Sequence, residues 1–453
     1  MIEVNFGTDG IRGKANENYL TPEVVTLIGM ACGSYFYKPN KQRQLAVIGK
    51  DTRLSGYLIE PALTSALVST GINVLLVGPM PTPAISMLIK SLRADFGIMI
   101  SASHNQFQDN GIKIFDQDGY KLTKKDETAI ETLIKDYPKG NNSAKNTDLG
   151  RAKRLDDAPG RYIEYAKNTF PKNLRLSGMK IVVDAANGAA YHLASKIFWE
   201  LGAEVISIFD NPNGTNINLN CGSMHPEKAI ERVIHEKANL GVVLDGDADR
   251  ILMIDEKGNV ANGDAILACI AAGMKSNNFL KNDRVICTEM SNIGFEKFCN
   301  SIGVDVVRTN VGDKHVSNEL RKNTSNLGGE QSGHIIMSDY STTGDGIVSA
   351  LSMLSFFIRS KKKKFSEFCH PFQSTPQQIH SVPIKDTKTN IHSLKKVQSA
   401  IDEVKMELGK SGRVNVRNSG TEPLIRIMVE HPEKRVISKS ISRIESAIKS
   451  ELL

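Results

Sequence analysis

Aromatic residues are scarce in this chain, and long apolar runs and paired cysteines are missing. Aromatics make up only 6% of the 453 residues, with a single Trp, which disfavours a stacking platform for single-stranded nucleic acid. The apolar segment from Ile347 to Ile358 is too short to span a bilayer. The N-terminus has no basic region followed by an apolar core, so we expect no secretory signal.

Six cysteines are present, but they show neither a Cys-x-x-Cys pair nor a zinc spacing. They stand at positions 32, 221, 269, 287, 299 and 369. This pattern is typical of reduced thiols, and it predicts a cytoplasmic protein.

The net charge of +7 leaves nucleic acid, a membrane surface and small anionic substrates open as partners. The basic residues are mostly dispersed. The one block, Lys361 to Lys364, follows the apolar segment just named, so it favours a solvated helix end over a nucleic-acid patch. We therefore expect no nucleic-acid and no membrane partner.

A strand, a polar loop, a helix and a second strand recur three times along the chain. The first strands of the three units begin at Leu45, Lys180 and Arg284. A chain of this length needs several cores. The pattern predicts three related βαβ-based α/β domains with mixed sheets, followed by a smaller C-terminal α+β domain, all around a central cleft. We place the domains at residues 1–155, 156–255, 256–371 and 372–453, with a linker at Phe372 to Pro383.

The loop Ile-Ser-Ala-Ser-His-Asn, Ile100 to Asn105, follows a short apolar strand. Such a loop would suit a serine that is esterified and then discharged. Ser103 and His104 are adjacent, and on an extended backbone their side chains would point to opposite faces. The spacing alone does not choose between Ser101 and Ser103, and a plain polar turn is the alternative.

Three carboxylates, Asp245, Asp247 and Asp249, follow the apolar strand Leu240 to Leu244 at every other position. In an extended segment all three would share a face and could hold one hard cation, with Mg²⁺ the natural occupant. The alternatives are a solvated acidic turn and a calcium loop. An EF-hand is disfavoured because an apolar stretch follows Arg250.

Two further loops have the composition of ligand-binding segments. Gly328 to His334 offers a carboxylate, a hydroxyl and an imidazole among glycines, a set suited to sugar hydroxyls. Arg417 to Thr421, followed by Arg426, offers guanidinium, hydroxyl and backbone donors for a phosphate monoester. Plain turns are the alternative for both.

Six motifs occur in the order in which they occur in the α-D-phosphohexomutase superfamily, and the resemblance covers essentially the whole chain. It extends to the bacterial members that act on glucosamine phosphates. The motifs are Phe-Gly-Thr-Asp-Gly-Ile-Arg-Gly (6–13), Gly-Pro-Met-Pro-Thr-Pro (78–83), Ser-Ala-Ser-His-Asn (101–105), Asp-Gly-Asp-Ala-Asp-Arg (245–250), Gly-Glu-Gln-Ser-Gly-His (329–334) and Arg-Asn-Ser-Gly-Thr-Glu (417–422).

The resemblance implies a role for each motif. Ser103 would be the phosphorylated serine and would share one Mg²⁺ with Asp245, Asp247 and Asp249. The catalytic set would also include Arg12, His104, Lys113, Arg250 and His334, with Lys113 a candidate general base. The sugar phosphate would be bound by Glu330, Ser332, Arg417, Ser419, Gly420, Thr421 and Arg426.

The implied reaction is the interconversion of glucosamine 6-phosphate and glucosamine 1-phosphate through a 1,6-bisphosphate. It would feed the synthesis of UDP-N-acetylglucosamine and cell-wall precursors. A phosphomannomutase/phosphoglucomutase, differing mainly around Gln331, is the alternative, and a noncatalytic sugar-phosphate-binding protein is another. We expect a monomer or homodimer in which closure of the fourth domain gates reorientation of the intermediate.

Overall fold

A computed structural model describes residues 4–7, 9–38, 44–136, 148–384, 391–409, 411–418 and 424–452. Four sheets follow one another along the chain, with six, five, four and three strands. The predicted fold class, three α/β units and a smaller α+β domain, is confirmed.

The first sheet has the strand order β1-β5-β4-β2-β3-β6. Four neighbouring strands, β4, β2, β3 and β6, run parallel to one another. Its strands are β1 (Ile11–Lys14), β2 (Leu45–Lys50), β3 (Asn73–Pro79), β4 (Phe96–Ile100), β5 (Asp109–Phe115) and β6 (Ala152–Arg154). Its helices are α1 (Pro22–Phe36), α2 (Gly56–Ser69), α3 (Thr82–Leu92) and α4 (Lys124–Asp136). Every residue of β4 is buried, as its uninterrupted apolar run predicts.

The second sheet has the order β11-β10-β9-β7-β8. Its strands are β7 (Lys180–Asp184), β8 (Glu204–Ile208), β9 (Leu240–Leu244), β10 (Ile251–Asp255) and β11 (Val260–Ala261). Its helices are α5 (Ala158–Thr169), α6 (Ala194–Glu200) and α7 (Glu227–His235). Since β11 pairs with β10, this sheet runs past the boundary placed at residue 255.

The third sheet has the order β13-β12-β14-β15. Its strands are β12 (Arg284–Thr288), β13 (Asp305–Thr309), β14 (Leu327–Gly329) and β15 (Ile335–Met337). Its helices are α8 (Gly263–Ser276), α9 (Ile293–Ser301), α10 (Asp313–Arg321) and α11 (Gly346–Arg359). Short 3₁₀ segments occur at Asn18–Leu20, Lys281–Asp283, Phe365–Glu367 and Ile391–Ser393.

The fourth sheet is antiparallel, with the order β16-β18-β17. It comprises β16 (Gln377–Pro383), β17 (Arg413–Asn418), β18 (Leu424–Glu430) and the helices α12 (Lys395–Leu408) and α13 (Lys434–Leu452). The expected linker at Phe372 to Pro383 was therefore wrong in its second half, which forms β16. This edge strand is largely exposed, and its Gln-rich composition gave no apolar alternation.

The hydrophobic cores show which domains pack against one another. One apolar cluster runs without a break from α3 of the first domain through the second domain to α8 and α11 of the third. The fourth domain has a separate cluster of its own, between its sheet and helices α12 and α13. None of the helices in the described part of the chain is long and apolar enough to cross a bilayer.

Candidate active site

The serine loop joins β4 to β5 and places Ser103 at the junction of two domains. Ser103 is fully buried, and its hydroxyl donates to Oδ2 of Asp245 at 2.7 Å. Its backbone is left-handed, with φ of 52°. The extended backbone expected here was therefore wrong, and the turn brings His104 Nδ1 within 3.4 Å of the Ser103 hydroxyl.

Ser101 has a structural position instead. Its hydroxyl donates to Oδ2 of Asp51 at 2.7 Å and accepts from the backbone N–H of Ser103 at 2.9 Å. Both hydrogen bonds lie within the first domain. Because the Ser101 hydroxyl is occupied in this way and that of Ser103 faces a carboxylate of another domain, the geometry favours Ser103 as the reacting serine.

Arg53 holds the serine loop through its carbonyl groups. No role for this residue was predicted from the sequence. Its guanidinium, only 1% exposed, donates to the carbonyls of Ser103 (2.9 Å), Asn105 (2.8 Å) and Asp109 (3.0 Å). Asn218 of the second domain donates to the same Ser103 and Asn105 carbonyls at 2.9 and 2.8 Å. These five donor contacts fix the loop in its left-handed turn.

The carboxylate loop follows β9 and brings Asp245, Asp247 and Asp249 together. All three are buried, and one oxygen from each lies within 4.8 Å of the others. The convergence that the spacing predicts is present, but not for the predicted reason. The segment is a turn with Ala248 left-handed, at φ of 55°, rather than an extended strand.

These residues fit a hard divalent cation. Burial and the charges of Asp249 and Asp247 raise the pKa of Asp245 well above its ordinary value, and a bound cation would favour its ionised form. The Oδ1 atom of Asp247 is buried and accepts no hydrogen bond from any described residue. A buried, unsatisfied carboxylate oxygen beside two others is a ready ligand for Mg²⁺. Thr82 of α3 orients Asp247 through a 2.5 Å hydrogen bond to Oδ2.

Lys113 lies on β5 and faces the same carboxylates. Its ammonium is 2.7 Å from Oδ2 of Asp247 and 3.2 Å from Oδ2 of Asp249. Burial opposes its charge, but Asp247, Asp249 and Asp9 outweigh burial and hold the pKa of Lys113 well above its ordinary value. A charged ammonium cannot accept a proton, so this arrangement favours Lys113 as an electrostatic partner over a general base.

Two arginines, Arg12 and Arg250, lie at the same site and have buried donors. Arg250 NH1 lies 3.0 Å from His104 Nδ1, while Arg12 pairs with Asp9. The Nε atoms of both arginines are buried, and neither has a hydrogen-bond partner among the described residues. Burial, Arg250 and Arg12 lower the pKa of His104 to about 4, so its imidazole is neutral at physiological pH. The surroundings favour an anion such as a phosphate.

The third domain places His334 and Glu330 on the opposite side of the carboxylates. His334 Nε2 accepts the Gly344 backbone N–H at 2.9 Å, and its Nδ1 lies 3.5 Å from Oδ1 of Asp249. Glu330 is partly exposed, and Oε1 accepts from the Gly312 backbone N–H at 3.1 Å. Burial raises the pKa of the Glu330 carboxyl. Ser332 is exposed in the same loop.

The fourth domain contributes two facing arginines. Arg417 and Arg426 stand opposite each other on β17 and β18. Burial and the neighbouring Arg426 lower the pKa of Arg417, whereas Glu289 and Glu330 oppose this shift. Two cations held together in this way are suited to an anion. The predicted binding residues Ser419, Gly420 and Thr421 lie outside the described residues.

Models of all four phosphoglucomutase/phosphomannomutase domains match the chain. Alpha/beta/alpha domains I, II and III match residues 3–140, 160–258 and 262–374, and the C-terminal domain matches residues 381–445. The four matches follow the order of the four sheets.

Curated relatives decide which branch is involved. The chain is 48% identical over 449 residues to a phosphoglucosamine mutase of Parvibaculum lavamentivorans, with 98% of each chain covered. It is 49% identical over 445 residues to that of Caulobacter vibrioides, again with 98% of each covered. The chain belongs to the phosphoglucosamine mutase family.

Solved structures agree with this family in fold. A phosphoglucomutase/phosphomannomutase family protein from Burkholderia thailandensis superposes with a TM-score of 0.81, at 22% identity, over 99% of this chain and 97% of that one. The N-acetylphosphoglucosamine mutase of Aspergillus fumigatus, solved with GlcNAc-6P and magnesium, gives 0.67 at 18% identity, over 98% and 95%.

Several residues at the site of this phosphoglucosamine mutase family member had no predicted role, although Asp9 and Thr82 belong to two of the six motifs. They are Asp9, Asp51, Arg53, Thr82, Lys121 and Asn218. Lys121 pairs with both Asp9 and Asp313, and so ties the first domain to the third. Asp51 and Arg53 belong to a charged loop at the end of β2. Charged residues directly after a buried strand could have been used to predict a role for both. Asn218 lies in an irregular polar segment, and no sequence pattern there indicated its role.

Proposed function

We propose that this chain interconverts glucosamine 6-phosphate and glucosamine 1-phosphate, with Ser103 as the phosphate carrier. The observation that carries the proposal is the 2.7 Å contact between the Ser103 hydroxyl and Asp245, which come from different domains. A hydrolase would need His104 as its base, but His104 Nδ1 lies 3.4 Å from the Ser103 hydroxyl and only 3.0 Å from Arg250 NH1. Here the serine faces a carboxylate cluster suited to a cation, which fits a phosphorylated serine.

The proposed reaction has two transfers. The Ser103 Oγ–P bond breaks as the free sugar hydroxyl forms its own bond to phosphorus, which gives glucosamine 1,6-bisphosphate and a free serine. The sugar hydroxyl gives up its proton to solvent, and the departing Ser103 oxygen takes up a proton in exchange, so the free serine is neutral. The intermediate then reorients by about half a turn, and its other phosphate returns to Ser103.

Each binding residue has a part that its position supports. The free Nε–H groups of Arg12 and Arg250 would bind the phosphate in transfer, next to Ser103. Glu330, facing Arg417 across the gap between the third and fourth domains, would accept hydrogen bonds from sugar hydroxyls. Arg417 and Arg426 would hold the phosphate that does not react, at the far end of the sugar.

Asp245, Asp247 and Asp249 would hold one Mg²⁺ with an oxygen of the Ser103 phosphate. When bound, the ion would offset the charge that develops on the Ser103 oxygen as the phosphate leaves. Lys113 offsets only part of the charge of Asp247 and Asp249, so negative charge remains for the ion to neutralise.

The relatives and the protein's thiols support the remaining parts of the proposal. The similar proteins of Parvibaculum and Caulobacter are named phosphoglucosamine mutases, and the fungal neighbour holds an amino-sugar phosphate with magnesium. All six cysteines are free and buried, which is compatible with the cytoplasm. A small sugar phosphate is the proposed partner.

The test is a turnover assay on Ser103→Ala, with Ser101→Ala as the matched control. Full-length enzyme would be supplied with Mg²⁺ and a trace of 1,6-bisphosphate, and glucosamine 1-phosphate formation would be followed. We expect Ser103→Ala to lose turnover to background while the Ser101 variant keeps a measurable rate. Full turnover by Ser103→Ala would refute the proposal.

Glucose and mannose 6-phosphates in the same assay separate the proposal from a phosphomannomutase/phosphoglucomutase. Gln331, the position on which this distinction was expected to depend, donates from Nε2 to Gln377 of the fourth domain at 3.2 Å. We expect the highest kcat/KM with the glucosamine ester. A higher value for mannose or glucose would favour the alternative, and no turnover of any ester would favour a noncatalytic binding protein.

A further inference from the structure

A second cluster of potential metal ligands lies outside the proposed active site. Asp255 ends β10 of the second domain, and Cys369 and His370 follow the 3₁₀ segment after α11. The carboxylate oxygen, the thiol sulfur and an imidazole nitrogen all lie within 4.8 Å of one another. The proposed mutase reaction uses none of these three side chains.

The distance between two of the three ligand atoms is compatible with a tetrahedral zinc site. Two ligands bound at about 2.0 Å with a tetrahedral angle stand about 3.3 Å apart. His370 Nε2 and Oδ2 of Asp255 are separated by 3.2 Å. The two atoms form a hydrogen bond in the structure. Its length is close to the separation of two zinc ligands, so an ion could replace the proton between them with little movement of either side chain.

The ligand types select the metal. Thiolate, imidazole and carboxylate together suit Zn²⁺, whereas Mg²⁺ and Ca²⁺ prefer oxygen alone. The proposed active site has the opposite composition, since it offers three carboxylates. The two clusters would therefore sort two metals by chemistry and would not compete for the same one.

Burial leaves one side of the cluster open. Asp255 and Cys369 are fully buried, whereas the His370 side chain is 32% exposed. Asp255 is fixed by the fold, since its Oδ1 accepts from the backbone N–H groups of Lys257 and Asn259 at 2.8 and 2.9 Å, and its Oδ2 accepts from Asn259 Nδ2 at 2.9 Å. An ion could enter past His370, and water could complete its coordination.

We propose that Asp255, Cys369 and His370 form a Zn²⁺ site separate from the catalytic centre, with a water as fourth ligand. On binding, the Cys369 thiol gives its proton to solvent and the sulfur forms the metal bond. The His370 imidazole binds as its neutral form through Nε2. No oxidation or reduction is involved.

The site would tie down the segment that leads into the fourth domain. Ser366, just before the cluster, already bonds Glu256 through its N–H at 3.0 Å and its hydroxyl at 2.6 Å. Beyond the cluster, Thr375 exchanges two hydrogen bonds with Asn292 of the third domain, at 2.9 and 3.0 Å. Between these two, the hydrogen bond from His370 to Asp255 already reaches the second domain, and a bound ion would strengthen this attachment by adding Cys369 to it.

Cobalt titration of the full-length protein tests the site, because Co²⁺ takes zinc sites and reports its ligands by colour. With excess Mg²⁺ present, we expect one equivalent of Co²⁺ to produce a thiolate-to-cobalt charge-transfer band and the intense visible bands of tetrahedral cobalt. Zn²⁺ should abolish both. Ions at the carboxylate trio would give no thiolate band, so failure of the proposed function would not affect this readout.

Two variants assign the ligands, and Cys299→Ser serves as the control because that thiol is also buried but lies elsewhere. Cys369→Ser should lose the charge-transfer band, and Cys299→Ser should keep it. His370→Asn, on the exposed side, should fold normally, keep mutase turnover and weaken Zn²⁺ binding by about tenfold or more. Absence of the band in the wild type, its survival in Cys369→Ser, or unchanged zinc affinity in His370→Asn would each overturn the proposal.

Discussion

Arg53 lies beneath the serine loop and determines where Ser103 stands. Its guanidinium reaches several carbonyls of one loop, and its Nε donates to Oδ2 of Asp51 at 2.8 Å. A lysine keeps the charge but presents one nitrogen instead of a planar fork, so it cannot reach all these partners. We expect Arg53→Lys to lower kcat by about 10²-fold with little change in KM, because misplacing a reacting atom by about 1 Å costs that much.

Steady-state kinetics with glucosamine 6-phosphate would measure this effect. Arg161→Lys is the control, since Arg161 is a partly exposed arginine paired with Asp157 on the surface of α5. The control should behave as wild type. A wild-type kcat in Arg53→Lys would show that the serine loop holds its turn without the guanidinium.

Residue spacing identified the three carboxylates that converge, but it predicted the wrong backbone conformation for their loop. Asp245, Asp247 and Asp249 were found from a two-residue period that the folded loop does not have. Ser103 and Ala248 both adopt a left-handed backbone, which non-glycine residues seldom do. Contacts from distant segments, such as those of Arg53 and Asn218, impose that conformation, and a local pattern cannot show them.

The segment between β15 and α11 supports His334 through its backbone. A Cβ at Gly344 would lie 2.7 Å from the His334 ring and 2.6 Å from the Asp249 carbonyl, so an alanine must displace one of them. We expect Gly344→Ala to reduce kcat by about tenfold to a hundredfold, through the position of His334.

Gly160 offers a matched control in α5, where a Cβ would meet no atom within 4 Å. Gly160→Ala should leave kcat unchanged and stabilise its helix by up to about 1 kcal/mol. Turnover and thermal unfolding of the two variants would be compared. Equal turnover in both would contradict a positioning role for the Gly344 segment.

The N-cap residue of α11 should make the stability of the protein depend on pH. Asp345 caps the helix by accepting from the Val348 N–H, and it also accepts from the Tyr162 hydroxyl at 2.9 Å. Burial raises the pKa of Asp345 from 3.8 to about 6. Between these values the folded protein keeps a proton that the unfolded chain has lost, so this group's contribution to the free energy of unfolding falls as pH rises.

Asp345→Asn should remove that pH dependence, because asparagine caps helices well and carries no charge. Its melting temperature relative to wild type should rise between about pH 4 and pH 7. The corresponding gain is up to about 3 kcal/mol at neutral pH. Parallel thermal melts across this range would measure it, and a constant difference between the two proteins would contradict the assigned pKa.

Elements were predicted best where one physical cause dominated. The first strand of each βαβ unit is a largely buried apolar run, and the structure has a strand at each of these places. The edge strand β16 was missed because it is stabilised by backbone pairing with β18, to which its polar side chains contribute little.

Glu430 joins the fourth domain to the third at a fully buried position. Its Oε1 accepts from the Ile293 N–H at 3.0 Å, and its Oε2 accepts from Arg413 Nε at 2.8 Å. Arg413 also donates to the Ser291 carbonyl at 2.7 Å. Because the fourth domain has a separate core, polar contacts of this kind restrict its movement.

Glu430→Gln would replace an acceptor of Arg413 with a donor and should loosen the fourth domain. Breaking a buried ion pair costs about 3–5 kcal/mol, so we expect faster hydrogen exchange at the Ile293 amide and a raised KM. Glu433→Gln, at an exposed position, is the control. Unchanged exchange and kinetics would show that the fourth domain is held by other means.

The order of the motifs predicted the whole molecule better than any single motif did. Each loop alone could have been a plain turn, and their convergence depends on contacts between domains that no local pattern contains. The link from Lys121 to Asp9 and Asp313, and that from Lys314 to Glu127, are of this kind. They join the first and third domains around the carboxylate loop of the second.

The central claim is that Ser103 carries the phosphate. The most direct measurement is mass spectrometric mapping of the full-length enzyme after exposure to glucosamine 1,6-bisphosphate and removal of the sugar. The account predicts one added phosphate, on Ser103, which is retained in Ser101→Ala and transferred when glucosamine 6-phosphate is supplied. A phosphate on any other residue, or an enzyme that turns over without acquiring one, would contradict it.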